Sequence, residues 1–334
     1  MNLTQNYGSE TKMWQGGQTL FALRIKFRNF VLCVYAALLL NGCNSVFYYP
    51  DNIKYGDPAL LEYQTDEKMI ESEPGTHIKL IRFHAVGKRK GSVVHFHGNA
   101  QNMTAHLAFT YWIPEEGYDL YIFDYQGYGP SEGVPSREAT IADGKAVLAE
   151  AFQNSDGLPV FVLGQSLGAA VAFTSSALSF PNKICGLIFE SGFASYRLIA
   201  RKKLADHWFS WPFQYPFSYF VTDEYSPLLY TSQLKIPALF MHGRLDPVVP
   251  YETGYPLYAA YEGPDKTWIE IPNGVHTPAF LRDESPYRKN AVEFFDSHAA
   301  ACRGSGRTRD SRHPSQDRRG VIAASPLHAQ PRSL

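Results

Sequence analysis

The sequence predicts an α/β protein built on a doubly wound, mostly parallel sheet. Two observations lead there. From residue 77 to 300, short apolar runs bounded by turn residues alternate with segments of helical spacing. Strands separated by helices need crossover connections, and crossovers make neighbouring strands parallel. The second observation is the stretch PVFVLGQSLGAAVAF, Pro159 to Phe173. It passes from strand-like to helix-like within Gly164-Gln165-Ser166-Leu167-Gly168, with two glycines bracketing one serine.

The elements follow in order. His77–Val86 alternates like a half-exposed strand, and residues 44–76 are expected to hold a tether and the first strands. Ser92–His97, Tyr118–Phe123, Pro159–Leu163, Cys185–Phe189, Ala238–His242 and Lys266–Ile271 read as short strands bounded by turn residues. Arg137–Phe152, Leu167–Leu178, Glu252–Tyr261 and Pro286–His298 have helical periodicity. The segment 196–230 breaks this rhythm. Within it Trp208, Phe209, Trp211, Phe213, Tyr215, Phe217, Tyr219 and Phe220 crowd together. It reads as a small lid over the strand ends, its rings either walling an acyl or aromatic substrate or packing the lid on the body.

Charge excludes one class of function. Residues 44–302 carry 20 Lys+Arg against 29 Asp+Glu, a balance of −9, which does not suit a phosphate backbone. No nucleic acid partner is expected. Residues 303–334 carry seven Arg and two Asp with no Phe, Tyr or Trp, and read as a disordered tail.

In an open α/β sheet, chemistry sits beyond the carboxyl ends of the strands. Gly164-Gln165-Ser166-Leu167-Gly168 fits G-x-S-x-G and lies between a strand and a helix, as a nucleophile elbow does. Ser166 is the candidate nucleophile, and the Leu167 N–H can face a developing oxyanion at the helix start. Serine needs a base and the base needs an acid, in the order Ser, Asp or Glu, His. Asp246 in HGRLDPVVP and His276 in IPNGVH both follow strand ends in that order. Glu190, at the end of the neighbouring strand, is the rival acid. A second oxyanion donor is expected in His97-Gly98-Asn99-Ala100, at the N–H of Asn99, with Ala100 the competitor.

Other features have plainer readings. Gly127-x-Gly129 is a tight turn and not a phosphate loop, because it lacks the lysine and the full spacing. His95 and His97 share a strand face but have no third ligand in view, so they read as core and turn residues and no metal is expected. Cys185 reads as a small core residue and Cys302 borders the tail. A bridge between them is open in an oxidising compartment, but no sequence feature calls for it.

Together His97-Gly98-Asn99-Ala100, FDYQGYGPS from Phe123 to Ser131, the GQSLG elbow, Phe189-Glu190-Ser191 and HGRLDPVVP resemble the α/β-hydrolase superfamily. More narrowly, they are similar to bacterial serine hydrolases related to eukaryotic membrane-associated depalmitoylating hydrolases. The resemblance spans about His77 to Ala299 and implies an α/β-hydrolase fold with a Ser166–Asp246–His276 triad. It implies an ester or thioester hydrolase acting through an acyl-enzyme without a cofactor. A serine peptidase of the same fold and a non-catalytic envelope binding protein are the alternatives.

The amino terminus addresses location. Arg24, Lys26 and Arg28 precede the eleven-residue apolar run Phe30–Leu40, too short to span a bilayer but of signal-peptide length. Leu40-Asn41-Gly42-Cys43 then resembles a bacterial lipobox, which implies removal of residues 1–42 and lipidation of Cys43. By the same resemblance, Asn44 favours the outer membrane over the inner. The expected partners are a membrane surface, met through that anchor, and a small or lipid-like ester substrate.

Overall fold

The computed structural model describes residues 48–307, with side chains through residue 302. Cys43 and the apolar run lie outside the described residues, as does the tail beyond residue 307.

Eight strands form one sheet: β1 (Thr65–Glu73), β2 (Thr76–Phe83), β3 (Gly91–Phe96), β4 (Tyr118–Phe123), β5 (Val160–Gln165), β6 (Gly186–Glu190), β7 (Ala238–Gly243) and β8 (Lys266–Ile271). Their order is β1-β2-β4-β3-β5-β6-β7-β8. The pairs β1–β2 and β2–β4 are antiparallel, and every other neighbouring pair is parallel. The sheet is therefore mostly parallel, with an antiparallel edge. Strand β3 lies between β4 and β5, so its outgoing connection turns one way and that of β5 the other. The crevice at such a reversal is where open α/β sheets bind ligands.

The central strands read as unbroken apolar runs because both faces are covered. Side chains of β5 alternate: Val160 and Val162 join one core, Phe161 and Leu163 the other. The first core is closed by helices α1 (Arg137–Gln153), α2 (Leu167–Ser179) and α4 (Tyr251–Ala260). The second is closed by residues 103–113 and by α5 (Pro286–Arg307). Helix α5 runs nine residues past the expected end at His298. Cys302 on it forms a disulfide with Cys185, so Cys185 is a crosslink and not only a core filler.

The segment 196–230 starts with α3 (Tyr196–Ala205) and continues in short helical turns. Asp223 ties its two ends: one carboxylate oxygen accepts from Ser195 Oγ, Ser226 Oγ and the Arg197 N–H, at 2.6–3.0 Å. The eight rings from Trp208 to Phe220 are 48–88% exposed, so half or more of most of them faces outward.

The segment expected as a tether is not free where it is described. Its described portion is docked: the Tyr49 N–H donates to Asn99 Oδ1, the Tyr55 N–H to Thr104 Oγ1, and Asn102 Nδ2 to the carbonyls of Asp51 and Ile53.

Candidate active site

Ser166 sits between β5 and α2 with φ 56° and ψ −122°. This is a strained backbone for a residue bearing a Cβ, and such strain is stored where surrounding packing over-determines it. The two glycines allow that packing. A Cβ on Gly168 would lie 2.2 Å from the Phe96 carbonyl oxygen and 2.3 Å from that of His97. A Cβ on Gly164 would lie 2.5 Å from Ala169 Cα. Helix α2 can therefore start hard against β3. The Ser166 N–H donates to the Glu190 carbonyl at 2.9 Å, which pins the elbow to β6.

Three side chains meet here from separate strand ends. Ser166 Oγ is 2.9 Å from His276 Nε2, and His276 Nδ1 is 2.8 Å from Asp246 Oδ2. Asp246 follows β7 and His276 follows β8, and those strands pair in parallel register, Ile271 opposite Gly243. Asp246 Oδ1 accepts the N–H groups of Val248 and Val249, each at 2.8 Å. Burial alone would raise this carboxyl. The hydrogen bond and charge of His276, with the two backbone donors, outweigh it and hold Asp246 below its ordinary value.

Glu190 is not the partner of His276. Its Oε1 accepts the Ala279 N–H at 2.7 Å and its Oε2 accepts Gln165 Nε2 at 2.6 Å. Burial pushes this carboxyl up to about 7 despite those bonds. Sequence offers Glu190 only as an acid, and its position beneath the loop that carries His276 emerges only in the fold. So does that of Gln165: its Oε1 lies 2.9 Å from His95 Nε2, and His95 Nδ1 lies 3.0 Å from Thr110 Oγ1. A buried polar row, Thr110–His95–Gln165–Glu190, thus passes under the elbow. Its one sequence signal was polar residues inside apolar strand ends.

The Leu167 N–H opens α2, and the first N–H groups of a helix have no intrahelical acceptor. The Asn99 loop lies opposite. A Cβ on Gly98 would be 3.6 Å from Ser166 Cβ. Asn99 is fastened by Tyr128, whose hydroxyl donates to its carbonyl at 2.6 Å, and Tyr125 Oη donates to the His97 carbonyl at 3.1 Å. His106 Nε2 bonds the Ala100 carbonyl at 2.9 Å. His97 Nδ1 donates to the Gly98 carbonyl at 2.7 Å, a turn-holding bond. Among the described residues no group of three or more His, Cys, Asp or Glu is gathered as a metal site.

A family model described as "Serine aminopeptidase, S33" matches residues 87–215. The uncharacterized protein YfhR of Salmonella typhi is 32% identical over 289 residues, covering 81% of this chain and 93% of that protein. YfhR of Escherichia coli K12 is 31% identical with the same coverage. The chain belongs to the α/β-hydrolase family. Its fold is shared with the esterase Pf2001 of Pyrococcus furiosus, at TM-score 0.60 and 22% identity, over 76% of this chain and 98% of that one. A monoacylglycerol lipase of Paleococcus ferrophilus aligns at TM-score 0.50 and 20% identity, over 66% of this chain and 99% of that one. At such identities the structures speak for the fold, and the chemistry must be argued from Ser166 and its surroundings.

Proposed function

We propose that this protein is a serine hydrolase of carboxylic esters or thioesters, held at a bacterial envelope membrane by a lipidated Cys43. The observation that carries the chemistry is the hydrogen-bonded row Ser166–His276–Asp246 at the carboxyl edge of the sheet. His276 Nε2 takes the Ser166 proton as Oγ attacks the carbonyl, and Asp246 holds the imidazole with Nδ1 protonated and stabilises its charged form. The N–H groups of Leu167 and Asn99 receive the oxyanion. His276 returns the proton to the leaving alcohol or thiol. Water, deprotonated by the same imidazole, then releases the acyl group. No step calls on a cofactor.

The esterase and lipase names among the structural neighbours favour ester substrates. The family model's description favours a second reading, an aminopeptidase. Fluorophosphonate labelling of wild type and Ser166→Ala, followed by parallel assays on p-nitrophenyl butyrate, an acyl thioester and an aminoacyl p-nitroanilide, separates them. Labelling that persists in Ser166→Ala would remove Ser166 as nucleophile, and turnover of the anilide alone would select the peptidase.

Two observations support the location. The residues from Arg24 to Cys43 have the order basic, apolar, lipobox-like. The Cys185–Cys302 disulfide suits an oxidising compartment, where such bonds persist. Fractionation with intact-mass measurement tests it: wild type recovered from the soluble fraction with unmodified Cys43 would end the anchor reading.

A further inference from the structure

The exposed rings between Trp208 and Phe220 form a face turned inside out for a protein in water. Ser210 and Ser218 point inward, their hydroxyls donating to the carbonyls of Leu204 and Tyr215, while the aromatic side chains point outward. From Trp208 to Val221 there is no charged residue. Phe213 and Phe217 stack on one another with centroids 5.4 Å apart, Phe220 lies 6.4 Å from Phe217, and Trp208 and Phe209 meet edge to face at 6.3 Å, so these exposed rings cluster and are not scattered singly. Contiguous apolar patches of this kind mark docking sites. Arg201 borders the patch, its guanidinium 4.6 Å from the Tyr215 ring and 5.9 Å from that of Tyr219.

The position of Tyr48 decides the occupant. Tyr48 is buried in the same core as Tyr196, the first residue of α3, and as Ile199 and Val221 of this segment. Cys43 lies five residues earlier, so at full extension it is no more than about 18 Å from Tyr48. Acyl chains on Cys43 would thus bring a bilayer to the same edge of the sheet from which the aromatic segment projects.

We propose that the face from Trp208 to Phe220 is a membrane-contacting surface seated in the interface of a phospholipid bilayer. The rings suit that depth: Trp and Tyr place an apolar body among acyl chains and a polar tip at the headgroups. An arginine at the border reaches phosphates while its stem stays on apolar surface. Because the face itself carries no charge, its seating is apolar and insensitive to salt, unlike that of a polybasic patch. The orientation rests on the proposed anchor at Cys43; the seating of the rings does not. The candidate active site would then open at the membrane side, within reach of lipid-like esters.

The test uses the full-length chain with phosphatidylcholine vesicles carrying brominated acyl chains, which quench tryptophan fluorescence at short range. With Trp14→Phe made in every protein compared, the parent chain is expected to be quenched, and Trp208→Phe/Trp211→Phe to lose at least half of that quenching, since of the two tryptophans left Trp112 is buried and Trp268 half-buried. Phe213→Ser/Phe217→Ser, with both tryptophans kept, is expected to lower the cap's share of quenching severalfold at an unchanged melting temperature. Raising the salt from about 0.1 to about 1 M should leave it unaltered. Equal quenching in the parent chain and the double Trp variant, or quenching abolished by salt, would overturn the proposal. So would a dimer dispersed by the serine substitutions with no lipid quenching, which would assign the face to a second copy. Fractionation reads the anchor and bromine quenching reads the cap, so either reading can fail without the other.

Discussion

Replacing Asp246 by Asn probes the proposed proton path at its least forgiving point. Asp246 Oδ1 accepts two backbone N–H groups at 2.8 Å, and Oδ2 faces His276 Nδ1 at 2.8 Å. An amide has only one oxygen. Kept on the two backbone donors, it turns its NH₂ toward Nδ1. Reversed, it sets the NH₂ against two N–H groups and leaves both without an acceptor, at about 1–3 kcal/mol each. The first orientation wins. The NH₂ then donates to an unprotonated Nδ1, and the imidazole proton moves to Nε2, the nitrogen 2.9 Å from Ser166 Oγ. The base has become a donor. Loss of kcat is expected at about 10⁴-fold, or about 5.5 kcal/mol of barrier. The assay is kcat and KM on p-nitrophenyl butyrate, with Glu190→Gln alongside. Both Glu190 oxygens are engaged away from His276, so that variant should stay within about tenfold of wild type. Asp246→Asn within tenfold of wild type, or Glu190→Gln as the more damaging change, would refute the assignment of the acid.

Three further outcomes are expected. Ser166→Ala should lower kcat more than Asp246→Asn, on the order of 10⁶-fold, and fold normally, as circular dichroism would show. Gly168→Ala should force α2 away from β3, because the new Cβ meets two backbone oxygens within 2.3 Å. Destabilisation of about 1–3 kcal/mol in urea melts, with a fall in activity, is expected; wild-type activity would show that the close approach is dispensable. Cys302→Ser opens a crosslink spanning 117 residues of sequence, worth up to about 5 kcal/mol in the chain-entropy account. An unchanged urea midpoint with and without reductant would show that the bond does not form.

The elements that position the site were legible because each carries its own punctuation. Strand β4 and strand β8 match their expected bounds residue for residue, since turn residues cut off both runs. The meeting of Ser166, Asp246 and His276 could be anticipated because parallel strands bring all their carboxyl ends to one edge. Strand β1 could not be delimited: TDEKMIESE is charged and mostly exposed, because an edge strand with little covering needs no apolar face. The Cys185–Cys302 bond was illegible for a different reason. It joins residues far apart in sequence and depends on α5 continuing past its periodic stretch. The role of Glu190 was not legible because a carboxylate at a strand end beside the elbow offers itself only as a rival to Asp246, whereas its bonds show loop support.

That support is built so that it can reverse its direction, which makes Glu190→Gln a sharper experiment on stability than on rate. As drawn, Gln165 donates to Glu190 Oε2 while its oxygen faces His95 Nε2. If the Gln165 amide turns over, its oxygen accepts from a protonated Glu190 and its NH₂ donates to His95 Nε2. His95 then carries its proton on Nδ1 and donates to Thr110 Oγ1, 3.0 Å away. Every polar group stays paired, and Glu190 Oε1 keeps the Ala279 N–H. A glutamine at 190 reproduces that second arrangement with its own NH₂, so the fold should accept it, whereas an apolar residue would strand Gln165 and the Ala279 N–H. The pH dependence follows from burial, which raises Glu190 from 4.5 to about 7. A carboxyl raised on folding contributes stability that is whole below its unfolded value and is lost as pH rises through its folded one. Buried His95, pushed down to about 3 by desolvation, has the opposite sign and partly masks this in wild type. Subtraction removes the mask. The stability of Glu190→Gln minus that of wild type should climb between about pH 4.5 and pH 7 and level off above. Urea melts of both proteins across that range check it. A difference independent of pH would mean that Glu190 titrates alike in the folded and unfolded chains, and that the row beneath the elbow does not shift as described.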